Sequence, residues 1–294
     1  MDPVLGFVGL GTMGLPMSGH LARAGYRVLG YDPSASALSA AVEQGLTACT
    51  DAAAVGQGAQ IVFTCLPSQK IVRATVDALL GSMQPCGAIV DCSTISPQPA
   101  GELEQDAARH GIGFLDAPLS GAGAGAQAAT LSIMVGGEAA LFGRMQPLLA
   151  LMGKHIFHLG AAGSGQTAKL CQNLILVSTL SGVMESVALG RAVGIEPQRL
   201  LEVMDTCLAP TRVMEVLVKP KFDGRVPFDH TTDGLTMICK DITLVRELAE
   251  RVGVHLPVGS RIQSLYAQAV ASGHGHQDLL AWYELIEQGV FETG

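Results

Sequence analysis

An apolar run at residues 4–10 leads into Gly9-Leu10-Gly11-Thr12-Met13-Gly14, and residues 15–24 continue with helical spacing. This pattern predicts a strand, a tight turn and a helix. In that setting the first glycine permits the turn, the second lets a pyrophosphate approach the backbone, and the third allows the helix to pack on the strand. The phosphates then rest against the helix N-terminus. The next strand, 27–31, ends at Asp32, 18 residues beyond Gly14. A carboxylate there accepts hydrogen bonds from a ribose 2′-OH and repels a 2′-phosphate, so the implied cofactor is NAD, with NADP disfavoured. The plainer alternative is a turn aspartate before Pro33.

Strand-like runs at 61–66, 88–92 and 112–116 alternate with helix-like runs at 69–80 and 97–110, the rhythm of a doubly wound parallel sheet. Two strand ends carry Leu66-Pro67-Ser68 and Asp91-Cys92-Ser93-Thr94, at the edge where such sheets bind ligands. Turn chemistry alone accounts for the same residues. The stretch 116–126 reads as a flexible loop of small residues. Its amides and the Ser120 hydroxyl could hold a carboxylate, or it is a linker. A strand at 131–135, a helix at 138–152 and a strand at 155–159 complete this half.

Residues 163–194 read as one long helix, with Leu170, Leu174, Val177, Leu180, Met184 and Val187 at helical spacing. Lys169, Gln172, Asn173, Glu185 and Arg191 interrupt the apolar run, which argues against a membrane span. About 30 residues make a helix of roughly 45 Å, longer than one small domain needs, so it is expected to link two. Lys169 and Asn173 lie four apart and leave one face of its start. A solvated lysine and a capping asparagine would look the same. The lead-in Gly163-Ser164-Gly165-Gln166 suggests a backbone open to a ligand, and sparse charge favours a lysine able to exchange a proton. After Gly194 helix-like runs at 197–206, 211–218, 235–252, 257–272 and 277–288 follow without a strand. The fold expected is α/β: a Rossmann-type dinucleotide-binding domain over 1–162, then an all-α substrate and oligomerisation domain over 163–294, entered through the long helix.

Composition narrows the function. A net charge of −8 with 18 scattered basic residues gives no footprint for nucleic acid. With 48% hydrophobic and 15% charged residues the chain is too apolar for disorder and suits subunit burial. The seven cysteines show no metal-ligand spacing and read as thiols of a reducing cytoplasm. Of the histidines, neither the pair His155 and His158 nor the pair His274 and His276 has partners at a zinc spacing, so no metal is expected. The N-terminus lacks the basic start of a targeting segment.

Four segments in order, GLGTMG at 9–14, DAPLSG at 116–121, GSGQTAKLCQN at 163–173 and KDITL at 240–244, resemble those of the β-hydroxyacid dehydrogenases, the group that includes 3-hydroxyisobutyrate dehydrogenase and tartronate semialdehyde reductase. The resemblance spans nearly the whole chain. It implies hydride transfer between NAD and a small carboxylate bearing a hydroxyl, with Lys169 as the catalytic lysine. It also implies Asn173 as a substrate-positioning amide, Ser120, Gly121 and Ala122 as the carboxylate cradle, Lys240 over the nicotinamide, and Leu66, Pro67 and Thr94 along the cofactor. A homodimer or homotetramer is implied too. Three positions depart from the family pattern: Ala122 and Ala129 stand where it has glycine, and Asp233 where it is usually aromatic. Asp233 either selects a polar substrate substituent or caps the helix beginning near Leu235. Two other functions remain open: an imine reductase on this scaffold, against which Lys169 argues, and a non-catalytic dinucleotide-binding scaffold, which would not need Lys169.

Overall fold

Strand β1, Leu5–Val8, lies between β2, Val28–Tyr31, and β4, Ile61–Thr64, parallel to both. Leu5 and Phe7 join one core with Met17, Leu21, Phe63 and Val90, while Val8 joins another with Val62, Val72, Val76 and Ile89. A strand covered on both faces reads as a continuous apolar run, as residues 4–10 do. β5, Ala88–Asp91, and β6, Gly113–Asp116, extend the parallel sheet, and the two-residue β3, Thr47–Ala48, adds to β2. The order β3-β2-β1-β4-β5-β6 is that of the doubly wound fold. Past β6 the sheet is mixed. β8, Leu131–Gly137, runs antiparallel to β6, placing Gly136 opposite Asp116, and pairs with both the two-residue β7, Leu119–Ser120, and β9, Gly153–His158.

This computed structural model describes residues 2–226 and 234–291. Helices α1, Gly14–Arg23, α4, Gln69–Leu80, α5, Pro97–Arg109, and α7, Ala139–Leu149, fall where the apolar spacing puts them. Between β2 and β4 the chain also forms α2, Ala35–Glu43, and α3, Ala52–Gly58, which alanine-rich sequence without a clear apolar stripe did not announce. Their signal lies in the caps, where the Ser34 and Asp51 side-chain oxygens accept from the Ala37 and Ala54 N–H groups at 3.4 and 2.7 Å. The stretch expected as a flexible loop after Asp116 is instead β7 followed by α6, Ala122–Gln127, with Ala126 fully buried against the sheet.

The chain divides into two units, Met1–Lys169 and Leu170–Gly294. The division falls seven residues past 162, within α8, Ser164–Ala192. In the second unit Leu170, Val177, Leu180, Met184 and Val187 form a buried stripe whose core includes Leu235, Ile242, Tyr266 and Trp282. The Tyr266 and Trp282 rings stack at 4.1 Å. α8 is long and apolar enough to cross a membrane by length and composition; this stripe buries part of that apolarity, while Ile175 and Leu189 on the same helix are exposed. α9, Pro197–Asp205, α10, Lys219–Phe222, α11, Gly234–Val252, α12, Pro257–Ala269, and α13, Trp282–Glu287, surround it. One-turn π segments at Met214–Val218 and Val270–His274 occupy parts of the helices expected at 211–218 and 257–272. Among the described residues of this unit there is no strand.

Candidate active site

In the first unit the glycine turn leaves β1 at its carboxyl end. A Cβ on Gly9 would overlap the Cys65 carbonyl oxygen and one on Gly14 would overlap the Gly9 carbonyl, so those two glycines serve the turn itself. Gly11 differs: nothing lies within 4 Å of where its Cβ would be, and Gly11 and Thr12 are exposed beside the half-buried Met13. That open face is what a bound pyrophosphate requires. Asp32, at the end of β2, accepts the Leu10 N–H through Oδ2 and the Ser34 N–H through Oδ1, both at 2.8 Å. It therefore braces the turn and also forms the local aspartate turn of the plainer alternative. Leu66 lies against Gly9, 3.1 Å from its Cβ position, and its N–H donates to Ser93 Oγ at 2.8 Å. Pro67 is exposed and Thr94 half-buried at the ends of β4 and β5.

The segment after β6 comes to the same edge. Ser120 ends β7, and Gly121, at φ +135°, turns the chain into α6. Ala122 and Ala129 hold positive φ of 51° and 54°, the left-handed region that an L side chain resists. This is the physical meaning of glycine at those positions in the family pattern. A Cβ on Gly123 would stand 3.0 Å from Thr12 Cγ2, so the start of α6 abuts the cofactor turn. His20 on α1, which sequence reasoning did not single out, is bonded through Nε2 to the Ala126 carbonyl at 2.9 Å and ties α6 to α1.

Beneath this edge two aspartates sit side by side on β5 and β6, Asp91 opposite Asp116, both without solvent exposure. Asp91 Oδ1 accepts the Thr64 and Ser93 hydroxyls at 2.7 and 2.6 Å, and its Oδ2 has no hydrogen-bond partner among the described residues. Burial pushes its carboxyl above the ordinary range. Asp116 Oδ1 accepts the Gly163 N–H at 2.7 Å and Oδ2 the Gln166 N–H at 2.9 Å. Burial raises its pKa too, and these backbone bonds pull in the opposite direction. The Gln166 amide donates to the Ser93 carbonyl at 2.8 Å and accepts the Ile95 N–H at 3.1 Å. Contrary to the expectation from sequence, the small residues at Gly163 and Gly165 admit packing of the protein's own backbone and of Asp116 and do not open a face to a ligand. A Cβ on Gly163 would meet the Pro97 carbonyl at 2.6 Å, and one on Gly165 would meet Asp116 Oδ2 at 2.8 Å. Lys169, half-buried, follows Gln166 by three residues on α8.

Asn173 and Lys240 belong to the second unit. Asn173 is 1% exposed and its Nδ2 donates to Asp241 Oδ2 at 2.7 Å; its place inside α8, Ser164–Ala192, rules out a helix-capping role. Lys240 Nζ lies 3.0 Å from Asp241 Oδ1. Asp241 is thus shared by two predicted site residues and was not itself singled out from the sequence. Asp233 lies outside the described residues.

A doubly wound sheet with an open glycine turn, a carboxylate at the end of β2 and a lysine on the helix that follows the sheet defines the class of nicotinamide-dependent dehydrogenases. Residues 4–160 match the family described as the NAD-binding domain of 6-phosphogluconate dehydrogenase, and residues 163–286 the one described as NAD-binding of NADP-dependent 3-hydroxyisobutyrate dehydrogenase. An NAD-dependent L-serine dehydrogenase of Pseudomonas aeruginosa is 35% identical, covering 96% of this chain and 97% of its own. A 2-(hydroxymethyl)glutarate dehydrogenase of Eubacterium barkeri is 33% identical, covering 99% and 97%. The solved structure of Mycobacterium tuberculosis 3-hydroxyisobutyrate dehydrogenase with L-serine superposes with a TM-score of 0.88 at 32% identity, covering 97% of this chain and 99% of that one. The chain belongs to the β-hydroxyacid dehydrogenase family, an NAD-linked group of oxidoreductases.

Proposed function

We propose that this protein reversibly oxidises a small acid HOCH2–CHR–COO⁻ to its semialdehyde with NAD. L-serine, 3-hydroxyisobutyrate and 2-(hydroxymethyl)glutarate, named for its relatives, all contain that unit. The observation that supports this reading is the approach of Gly123 to Thr12, which brings the start of α6 beside the glycine turn. NAD, when bound, supplies the acceptor for the hydride leaving the carbinol carbon.

The chain's own residues do the rest. Lys169 takes the hydroxyl proton during oxidation and returns it during reduction. The amides and hydroxyl of Ser120, Gly121 and Ala122 hold the substrate carboxylate, and Asn173 keeps the reacting groups in line. The turn from Gly9 to Gly14 receives the pyrophosphate, Asp32 accepts from the ribose, and Leu66, Pro67, Thr94 and Lys240 line the remainder of the cofactor. Asp233, placed by sequence alone, selects an R group bearing a donor. Asp233→Phe is then expected to shift preference toward alkyl-substituted acids.

Residues 1–162 form the cofactor domain in this reading, and 163–294 the domain for substrate and assembly. A homodimer or homotetramer is supported by Ile175, Leu189 and Val193, exposed at 67, 70 and 72% in the second unit. A reducing cytoplasm is supported by the seven cysteines, all among the described residues, none of which forms a disulfide.

The test is turnover of about a dozen hydroxy acids and semialdehydes, followed by NADH absorbance, for the wild type and Lys169→Ala. Turnover in the wild type with a loss of about 10²-fold or more in the variant, at unchanged NAD affinity, is expected. Activity on imines alone, or binding of NAD without turnover, would refute the reading.

A further inference from the structure

We infer that Asp116 is a positioning residue for Lys169: its buried carboxylate sets where the lysine-bearing helix begins relative to the segment from Ser120 to Ala122. This rests on the reading of Lys169 as the proton-transfer group.

The start of a helix leaves its first N–H groups without carbonyl partners, and a nearby side chain usually accepts one of them. α8 cannot be capped by its own preceding residue, because Gly163 has no side chain. Its acceptor comes from 47 and 50 residues upstream, where one Asp116 oxygen takes the Gly163 N–H and the other the Gln166 N–H. Two bonds to donors at different heights on the first turn determine both the advance of the helix and its rotation. A lysine one turn further on inherits both.

The clamp has little slack. A Cβ on Gly136 would stand 2.5 Å from Asp116 Oδ1 and one on Gly165 2.8 Å from Oδ2, so the carboxylate is packed from both sides. The Gln166 side chain adds an independent anchor through Ser93 and Ile95. Asp116 is also the last residue of β6, four before Ser120, so the strand that carries the clamp leads directly into the carboxylate-holding segment. Proton transfer requires the lysine nitrogen within hydrogen-bond reach of the substrate hydroxyl, and a misplacement of about 1 Å costs on the order of 10²-fold in rate.

Asp116→Asn tests this directly. The amide has one acceptor oxygen, and its NH2 group faces the other N–H. The expected result is a fall in kcat of about 10- to 100-fold with the KM for NAD within about twofold of wild type, because the cofactor turn is carried by β1 and not by Asp116. A double-mutant cycle separates positioning from general weakening. Combined with Lys169→Ala, Asp116→Asn is expected to leave the residual rate unchanged, since no lysine remains to be placed. A further multiplicative loss, or an unchanged kcat in the single variant while Lys169→Ala is inactive, would overturn the inference and leave the proposed function standing. A wild type inactive on every acid would remove both. Should Asp116→Asn fail to fold, hydrogen exchange of the wild type decides. The amides of 163–166 are expected to exchange as slowly as those of β6, and exchange at the rate of an open helix end would overturn the clamp.

Discussion

Alanine at 129 carries a backbone φ of +54°, and replacing it with glycine is expected to stabilise the protein. An L residue in the left-handed region costs roughly 1–2 kcal/mol, which glycine does not incur. Against this, glycine adds unfolded-state entropy worth about 0.4–1 kcal/mol. Removing a half-buried methyl forfeits about 0.4 kcal/mol, half the value of a fully buried methylene. The balance is a gain of about 0.5 kcal/mol. With a urea dependence of about 2 kcal/mol/M the unfolding midpoint of the first unit rises by roughly 0.2–0.3 M. The control is Ala124→Gly, an exposed position inside α6 with no positive φ, where the same change costs about 1 kcal/mol and lowers the midpoint by roughly 0.5 M. Urea titrations of both variants give the comparison. A midpoint for Ala129→Gly that falls along with the control would refute the strain argument, and with it the account of why the family pattern has glycine there.

Other outcomes follow from two carboxylates at the carboxyl ends of β2 and β5. The wild type is expected to prefer NAD over NADP by about an order of magnitude or more in catalytic efficiency, and Asp32→Ala to narrow that ratio while raising the KM for both, because the same carboxylate braces Leu10. Equal efficiencies in the wild type would remove Asp32 from the cofactor site. Asp91 has its folded-state pKa raised above the ordinary 3.8, first by burial and further by the charge of Asp116. Above 3.8 the folded state therefore holds more protons than the unfolded one, and this group's contribution lowers stability as pH rises until the carboxyl has ionised. Asp91→Asn removes that slope, so urea midpoints for variant and wild type should diverge in the variant's favour as pH rises above 3.8. Parallel pH profiles would show that Asp91 is not the source.

Sequence by itself determined the alternation of strands and helices along the first half of the chain and the place of the glycine turn. Both depend on local chemistry: apolar runs buried on two faces, glycines whose missing Cβ a neighbouring carbonyl occupies, and an acid at a set distance along the chain. It also singled out Lys169 and Asn173, though their roles came from family likeness, since a spacing of four states only that two side chains share a helix face. The alanines at 122 and 129 were visible as departures, but their strain is a matter of φ, which no composition reveals.

What the tertiary structure alone decided are the contacts between residues far apart in the chain. Asp116 and Gly163 are separated by 47 positions, Asn173 and Asp241 by 68, and His20 and Ala126 by 106. None of these pairs has a periodic signature, because hydrogen bonding between distant segments is set by strand order and helix placement. The stretch of small residues after Asp116 shows the limit most plainly. Its glycines and alanines lack the apolar stripe that announces a helix, and it is helical because the sheet and α1 bury Ala126 and bind its carbonyl.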